Sequence, residues 1–241
     1  MMNSRAAELG MNDTHFSCTN GLDDDNNYSC AYDVALMSRE LLKHEKITEF
    51  TTIWMDSLRN GAFQLANTNK IVKYYDGATG LKTGFTSKAM YCVSASAKRN
   101  NMEFIAVILG GPTSQDRFSE AMKLLDYGFN GFTVKEGVKE GEEIANIALQ
   151  KGVVDHVTGI SERDFGMLVK KTEKSELTYE INLVQDLTAP VKQGDKVGEM
   201  DFYIAGNKVG TVAILANESV EKQNFFFVFK KLLQCWVNDQ Q

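Results

Sequence analysis

The sequence predicts an α+β domain with an antiparallel sheet, then a small all-β domain and a C-terminal amphipathic helix. Helical and extended apolar patterns are mixed in the first half. After residue 133, short segments alternate polar and apolar residues, with glycine-containing turns between them, as strands do. The final stretch returns to a helical period. We therefore expect three segments, 1–133, 134–217 and 218–241.

Composition favours a folded protein and argues against a nucleic-acid partner. The 241 residues are 43% hydrophobic and 24% charged, and the formal net charge is −6. A nucleic-acid-binding domain usually carries a basic face instead. Because the sequence lacks an apolar run of about 18 residues, we expect no membrane-spanning helix.

The cysteines and histidines are not spaced as metal ligands, so we expect no metal and no cofactor. No two of the four cysteines form a Cys-x-x-Cys pair, and the three histidines are isolated from one another. Disulfide pairing stays open, and reduced thiols are the simplest interpretation. The residues concerned are Cys18, Cys30, Cys92, Cys235, His15, His44 and His156.

The chain opens inside a predicted helix. Met2, Ala6 and Leu9 fall at near-helical spacing, and Gly10 suits a helix C-terminus. No basic stretch followed by an apolar one is present, so we identify no signal peptide. A helix without a capping residue before it suggests a chain cut within a longer protein.

A loop and two helices are predicted next. Residues 19–29 are dense in Asn, Asp and Gly and indicate a loop. We expect a helix over 31–44 and a second, short helix within 45–60, followed by a loop with short extended pieces over 62–80. The apolar face of the helix over 31–44 would comprise Val34, Met37, Leu41 and Leu42.

A hairpin follows. Strand-like runs at 90–97 and 102–109 are separated by a short connection that contains Asn100 and Asn101. Asparagine tolerates the left-handed conformation that a tight connection requires. The pattern therefore predicts an antiparallel pair.

The last element of the first domain is an amphipathic helix over 113–128. Thr113 and Asp116 resemble a capping box, and Gly128 is positioned to end the helix. Its apolar face would comprise Phe118, Ala121, Met122 and Leu125.

One short motif carries chemistry. Lys82-Thr83-Gly84 follows a turn and leads into an extended run. The string alone is weak, but it is the third member of the Ser-x-x-Lys, Ser-x-Asn, Lys-Thr-Gly set of serine acyl-enzymes. Its position between a turn and a strand strengthens the assignment.

The chain resembles the low-molecular-mass penicillin-binding proteins, the serine D-alanyl-D-alanine carboxypeptidases of peptidoglycan maturation. This resemblance implies part of a transpeptidase/β-lactamase-like catalytic domain, a β-rich domain and an amphipathic anchor on the extracytoplasmic face of the bacterial membrane. The stretches that carry it are MNSRAAELGMNDTHF, NGLDDDNNYSCAYDVALMSRELLKH, LKTGFTSKAMYCVSASAKRNNMEFIAVILG and LTAPVKQGDKVGEMDFYIAGNKVG.

Carried onto this sequence, the resemblance assigns a role to four residues. Lys82 would hold the carboxylate of a stem peptide ending in D-Ala-D-Ala, or of a β-lactam in the full-length protein, and Thr83 would add a hydroxyl hydrogen bond. Gly84 would let the substrate backbone approach, and the backbone N–H of Phe85 would donate to the oxyanion. The alternative is a strand entry with an exposed lysine.

The resemblance also indicates what the chain lacks. The nucleophile of the family lies in Ser-x-x-Lys, upstream of every matching stretch, and Ser-x-Asn precedes the first helix. We expect the chain to contain neither motif, to be a fragment, and to be inactive by itself. Cys30 replaces the usual threonine helix cap, and Ser29 is expected to substitute.

The final stretch, 224–237, has an unusually aromatic helical face. This pattern favours an interfacial membrane helix, and a helix docked on the β domain is the alternative. The face would comprise Phe225, Phe229, Leu232, Leu233 and Trp236.

Two other functions stay open at this point. A non-catalytic module that binds membrane or cell wall would need no nucleophile. A β-lactamase shares the Lys-Thr-Gly motif, but the β domain and the terminal helix argue against it.

Overall fold

A computed structural model describes residues 1–230 of the chain. It divides into two compact units, Met1–Thr133 and Val134–Gln241, called unit 1 and unit 2 below. The face residues Leu232, Leu233 and Trp236 of the predicted terminal helix lie outside the described residues.

Unit 1 combines helices with a three-stranded antiparallel sheet. The sheet has the order β3-β4-β5, and β1 pairs with β2 in a separate hairpin. The helices are α1 (Met2–Glu8), α2 (Ala31–Leu42), α3 (Lys46–Thr51), α4 (Ile71–Tyr74) and α5 (Ser114–Gly131). The strands are β1 (Met55–Leu58), β2 (Phe63–Ala66), β3 (Ala78–Thr86), β4 (Met90–Arg99) and β5 (Met102–Gly111).

The predicted hairpin is confirmed. Residues of β4 and β5 pair from Tyr91 opposite Gly111 to Arg99 opposite Met102. Asn100 and Asn101 connect the strands with φ angles of 49° and 60°. Both angles lie in the left-handed region that asparagine tolerates.

Helix α5 is confirmed, but the predicted stop at Gly128 is wrong. Thr113 caps the helix by accepting a hydrogen bond from the Asp116 backbone N–H at 3.1 Å. The helix continues to Gly131, and Gly128 is buried within it. A Cβ at Gly128 would lie 2.9 Å from Cγ of Phe104. This glycine therefore permits close packing of helix against sheet rather than ending the helix.

The predicted apolar face of α2 is partly wrong. Met37 and Leu41 are each 40% exposed, whereas Asp33 and Ser38 are buried. The helix is buried on a polar side because the Ser38 hydroxyl bonds that of Ser94 at 2.7 Å. A pattern of apolar spacing does not detect a buried face that is held by hydrogen bonds.

The start of α2 also differs from expectation. Cys30, not Ser29, is the capping residue, and its sulfur accepts from the Asp33 backbone N–H at 3.5 Å. The Ser29 hydroxyl instead bonds that of Thr14 at 2.8 Å. The Asp33 carboxylate accepts from Thr14 and from the backbone of Asp13, which ties the preceding loop to the helix.

The region before β3 contains more structure than predicted. The short helix α3 is confirmed, but α4 falls in the stretch where only loop and extended pieces were expected. Ile71 in α4 is fully buried, and this single turn contacts β3. A four-residue helix offers too little periodicity to recognise.

Unit 2 is built on a five-stranded antiparallel sheet with the order β10-β11-β12-β8-β7, and β6 pairs with β9. The strands are β6 (Phe132–Val138), which begins at the end of unit 1, β7 (Glu143–Ala148), β8 (His156–Ser161), β9 (Phe165–Lys170), β10 (Leu177–Leu183), β11 (Lys196–Ile204) and β12 (Asn207–Ala216). The strand pattern predicted after residue 133 is confirmed.

The core of unit 2 is almost wholly apolar. Phe202, Val157, Val197 and Ile214 are fully buried at its centre. The Phe202 ring stacks on that of Phe165 with 4.2 Å between centroids. Packing of this kind is dense and supplies most of the stabilisation of a small domain.

Residues 225–230 are helical. The Asn224 side chain caps this segment by accepting from the Phe227 backbone N–H at 2.9 Å. Phe225 and Phe226 are 76% and 79% exposed, and Phe229 is half exposed. The described part of the terminal helix therefore presents its aromatic rings to solvent.

Candidate active-site strand

Strand β3 places the Lys-Thr-Gly motif on the open edge of a sheet. It is the end strand of the three-stranded sheet, and among the described residues it pairs only with β4. Lys82 and Gly84 are exposed, whereas Leu81 and Thr83 are buried. Successive side chains of a strand point to opposite faces, which explains this alternation.

Gly80 allows the start of β3 to lie against α3. A Cβ at Gly80 would lie 2.6 Å from Cβ of Thr51, and its φ of 135° is one that glycine adopts readily. The Thr51 hydroxyl donates to the Thr79 carbonyl at 2.6 Å. These contacts hold the motif strand from its N-terminal end.

Lys82 is exposed along its side chain, and its amine donates to the carbonyl of Thr83. This internal contact folds the ammonium group back against the motif strand. An anion at the edge of β3 is therefore within reach of a positive charge, and a charge-assisted hydrogen bond would attract it.

Thr83 has a partner that sequence reasoning missed. Its hydroxyl lies 2.7 Å from the hydroxyl of Thr68. The Thr68 turn is itself fixed, because the Asn67 side chain accepts from the backbone of Asn69 at 2.9 Å and donates to the carbonyl of Ile53 at 2.9 Å. Thr83 is only 8% exposed, so this contact orients its hydroxyl.

Arg117 is the second residue that sequence reasoning missed. Its guanidinium donates to the carbonyls of Gly84 at 2.9 Å and Cys92 at 3.1 Å, which joins the motif strand to β4. Arg117 is 6% exposed, and burial lowers the pKa of the guanidinium. Its Nε atom has no hydrogen-bond partner among the described residues. The sequence signal was an arginine on the helical stripe that contains Ala121 and Leu125.

Phe85 ends the exposed part of the motif. Its ring is 57% exposed and lies 4.4 Å from that of Tyr91 between centroids. The two residues are cross-strand partners in the β3–β4 pair. Aromatic cross-strand pairs of this kind stabilise a sheet edge, so Phe85 shapes the rim of the motif.

The expectation that the chain contains no Ser-x-x-Lys string is wrong, because Ser219-Val220-Glu221-Lys222 fits that pattern. The string lies in unit 2, where Val220 bridges to Val191 and Lys222 to Gly152. An extended backbone puts residues three apart on opposite faces, and Ser219 accepts from the Gln193 backbone at 2.8 Å. The pair therefore lacks the shared helical face on which a serine and a lysine meet. No Ser-x-Asn string occurs in the chain.

Within residues 1–230, no three His, Cys, Asp or Glu side chains are grouped as a metal site.

Comparisons with known proteins match the chain in two parts. Residues 1–113 match the family model of D-alanyl-D-alanine carboxypeptidase, and residues 132–222 match that of the penicillin-binding protein 5 C-terminal domain. The chain is 34% identical over 98% of its length to D-alanyl-D-alanine carboxypeptidase DacF of Bacillus subtilis. It is 30% identical over 94% of its length to DacA of Escherichia coli. It covers 61% and 56% of these two proteins, so it spans about three fifths of their length.

Solved structures agree with the fold. Penicillin-binding protein 5 from Haemophilus influenzae superposes with a TM-score of 0.68 at 27% identity, over 92% of this chain and 65% of that one. The regulatory factor PBP3 from Streptococcus pneumoniae gives a TM-score of 0.69 at 24% identity, over 92% of this chain and 69% of that one, a likeness of fold alone. The expected fold class is confirmed: a partial transpeptidase-like α+β domain, an all-β domain and a short terminal helix.

Proposed function

Since the chain belongs to the D-alanyl-D-alanine carboxypeptidase family and carries a penicillin-binding protein 5 C-terminal domain, we propose that it forms one wall of a serine carboxypeptidase site acting on D-Ala-D-Ala stem peptides. One observation carries the proposal. Lys82-Thr83-Gly84 lies on the edge strand β3, and Lys82 and Gly84 are exposed. Arg117 holds this strand in place by a hydrogen bond to the Gly84 carbonyl. We assign residues 1–133 to the catalytic domain, 134–217 to the β-rich domain and 218–241 to the anchor.

Each residue of the motif makes a different contact with the substrate. Lys82 attracts the terminal carboxylate of the stem peptide by charge. A hydroxyl donates one hydrogen bond and accepts two, so Thr83 can accept from Thr68 and still donate to that carboxylate. Gly84 leaves room for the substrate backbone, and the N–H of Phe85 donates to the oxyanion. Loss of one such donor lowers a rate by about 10²–10³.

The reaction requires a nucleophilic serine with a base beside it. The two serines of β4 that pair with β3 are instead buried and bonded to other hydroxyls, Ser94 to Ser38 and Ser96 to Thr79. In serine acylation the hydroxyl attacks the scissile carbonyl, D-alanine leaves with a proton, and water then hydrolyses the ester. The Ser-x-x-Lys string in unit 2 lies in extended backbone. We therefore infer that these 241 residues acylate no substrate by themselves.

A labelled penicillin tests this inference. Incubation with the 241-residue chain should leave the protein unlabelled by mass spectrometry, and the Ser219→Ala variant should behave identically. A stoichiometric adduct on the chain would overturn the inference, and its loss in Ser219→Ala would identify the serine responsible.

A longer protein that carries Ser-x-x-Lys tests the role of Lys82. We expect Lys82→Ala to lower kcat/KM at least about a hundredfold, as loss of an electrostatic contact to the reacting substrate does. Lys88→Ala is the matched control, because Lys88 is an exposed lysine on the turn after β3 that pairs with Asp25. Equal kcat/KM in Lys82→Ala and wild type would refute the assignment and favour the alternative, a strand entry with an exposed lysine.

We also propose that the terminal helix binds the membrane surface, on the extracytoplasmic side where the substrate lies. The support is the exposure of Phe225, Phe226 and Phe229 on a capped helix. Burial of a large apolar side chain contributes roughly 1.5–3 kcal/mol, whereas a lysine near an anionic surface contributes about 1 kcal/mol. Hydrophobic burial should therefore dominate, and salt should weaken binding only slightly. No helix within residues 1–230 is long and apolar enough to cross a membrane.

Liposome co-sedimentation tests the membrane proposal. The full chain should pellet with vesicles, while a chain ending at Gln223 should stay in the supernatant. That end point keeps Val220, which is 3% exposed and part of the unit 2 core. Phe225→Ser with Phe229→Ser should reproduce the loss. Equal recovery of all forms in the supernatant would favour the docked-helix alternative.

A further inference from the structure

We propose that the open edge of β10 in unit 2 is a docking site for an extended, lysine- or arginine-containing segment of another protein, which adds a strand to the sheet. The site is separate from the Lys-Thr-Gly strand, and the proposal does not depend on catalysis. It is supported by the strand edge, by its exposed core-facing side chains, and by an acidic cavity beside it.

Apart from one charged residue, Glu180, β10 carries none of the residue types or bulges that usually protect an exposed strand. Its seven residues, Leu177–Leu183, pair in unbroken antiparallel register with β11, and no strand within residues 1–230 pairs with the other side. They include no lysine and no proline. Natural sheets protect edges with such residues or with bulges. The other end strand, β7, does contain an irregularity, between Glu143 and Ala145.

The side of β10 that faces the core is uncovered. Tyr179 and Ile181 stand directly opposite Phe202 and Met200 of β11, so they share the face on which the core packs. The partners are 0% and 4% exposed, but Tyr179 is 57% and Ile181 39% exposed. The Tyr179 and Phe202 rings lie 6.2 Å apart, which confirms the shared face. One further strand beside β10 would thus cover the exposed side chains of Tyr179 and Ile181.

A cavity of about 170 Å³ lies along this uncovered side. It is lined by residues of β10 on one side and of β6, β7 and the turn between them on the other, including Val138, Glu142, Glu143, Ile144, Tyr179 and Ile181. The two end strands of the five-stranded sheet, β10 and β7, therefore line the same cavity. A strand added to β10 would direct alternate side chains into it.

Charge selects the partner. Two carboxylates, those of Glu142 and Glu143, belong to the cavity lining, which includes no basic residue. Glu142 accepts from the backbone of Lys139 at 3.0 Å, and no ion pair involves Glu143 within residues 1–230. A partner side chain with a cationic end and an apolar stem matches both the carboxylates and the apolar walls. A flanking apolar residue two positions away would cover the exposed ring of Tyr179.

The test uses the 241-residue chain, labelled with ¹⁵N, and a synthetic capped peptide of seven residues. Threonine occupies positions one, three, five and seven of the peptide, valine two and six, and lysine four. We expect saturable binding, with amide shifts confined to β10, β6 and β7. A peptide with glutamate at position four should bind at least about tenfold more weakly because of charge repulsion. A peptide N-methylated at alternate residues should not bind, because it cannot complete the backbone ladder.

Variants of the chain complete the test. Ile181→Lys and Glu143→Lys should each weaken binding at least about tenfold, while Glu218→Lys, an exposed acidic residue outside the cavity, should leave it unchanged. Glu143→Lys keeps the proposal testable if Ile181→Lys unfolds. Absence of binding, equal affinity for the lysine and glutamate peptides, or shifts outside β10, β6 and β7 would each overturn the proposal. Concentration-dependent dimerisation that protects the β10 amides would assign the edge to a second copy instead.

Discussion

The two units bury different kinds of side chain. Within residues 1–230, nine polar or charged residues are buried: seven belong to unit 1 and two, Ser161 and Asp201, to unit 2. The seven are Asp33, Ser38, Asn69, Thr83, Ser94, Ser96 and Arg117. The interior of unit 2 is instead a continuous apolar cluster around Phe202. The unit that carries the Lys-Thr-Gly motif is thus the one whose interior mixes polar with apolar side chains.

This difference follows from what each unit must do. A buried polar group is expensive unless it is hydrogen-bonded, and a hydrogen bond is directional. The bonds of Thr68 to Thr83 and of Arg117 to Gly84 therefore fix the motif strand in one position. Apolar packing is less directional but stabilises more, so unit 2 is built as a scaffold.

The largest effect is expected from Phe202→Ala in unit 2. Phe202 is fully buried and stacks on Phe165, so its truncation should lower the free energy of unfolding by about 3–5 kcal/mol through lost burial and a cavity. Hydrogen exchange of the β11 and β12 amides measures it. Leu168→Ala, at a 44% exposed site of the same unit, should change stability by less than about 1 kcal/mol. Similar losses of unfolding free energy in both variants would contradict the view that the apolar core stabilises unit 2.

Replacement of Arg117 tests the buried polar groups of unit 1. Arg117→Met fills the space but leaves the carbonyls of Gly84 and Cys92 without their donor, and we expect a loss of about 2–4 kcal/mol by chemical denaturation. The matched control is Arg163→Met in unit 2, because Arg163 is exposed and donates to one strand carbonyl, that of Thr211. Its loss should stay below about 1 kcal/mol. Equal losses of unfolding free energy in the two variants would show that a buried arginine stabilises its unit no more than an exposed one.

The smallest effect is an alkaline one. Burial raises the pKa of Tyr75 from 10.0 to about 12, and its hydroxyl donates to Asp126 at 2.7 Å. A raised pKa means that the folded state holds the proton more tightly, so this stabilisation is complete below pH 10 and is lost as the pH rises to 12. At about 1.4 kcal/mol per pKa unit, wild type should lose about 1.4 kcal/mol relative to Tyr75→Phe between pH 9 and pH 11.

Urea denaturation of both proteins at these two pH values checks the alkaline effect. Tyr203→Phe is the parallel case in unit 2, where burial also raises the pKa of a half-buried tyrosine, and an effect of the same sign is expected there. Parallel stability curves for wild type and Tyr75→Phe would contradict the prediction.

The sequence by itself determined the elements that depend on neighbours along the chain. The left-handed pair Asn100 and Asn101, the Thr113 cap and the strands after residue 133 are short-range features, and each was predicted correctly. The Lys-Thr-Gly string was likewise recognisable, because its residue types and its place after a turn are local. The roles assigned to Lys82, Thr83, Gly84 and Phe85 stay predictions.

Only the tertiary structure decided which polar groups meet. Thr68 reaches Thr83 across 15 residues, Arg117 reaches Gly84 across 33, and Ser38 reaches Ser94 across 56. Gly128 was taken for a helix end because its contact with Phe104 is distant in sequence. Hydrophobic periodicity reports how a segment faces solvent, and it carries no information on the partner of a buried hydroxyl or guanidinium. The motif strand is held by hydrogen bonds from Thr68 and Arg117, which are distant in sequence. Such directional contacts exist only once the chain has folded.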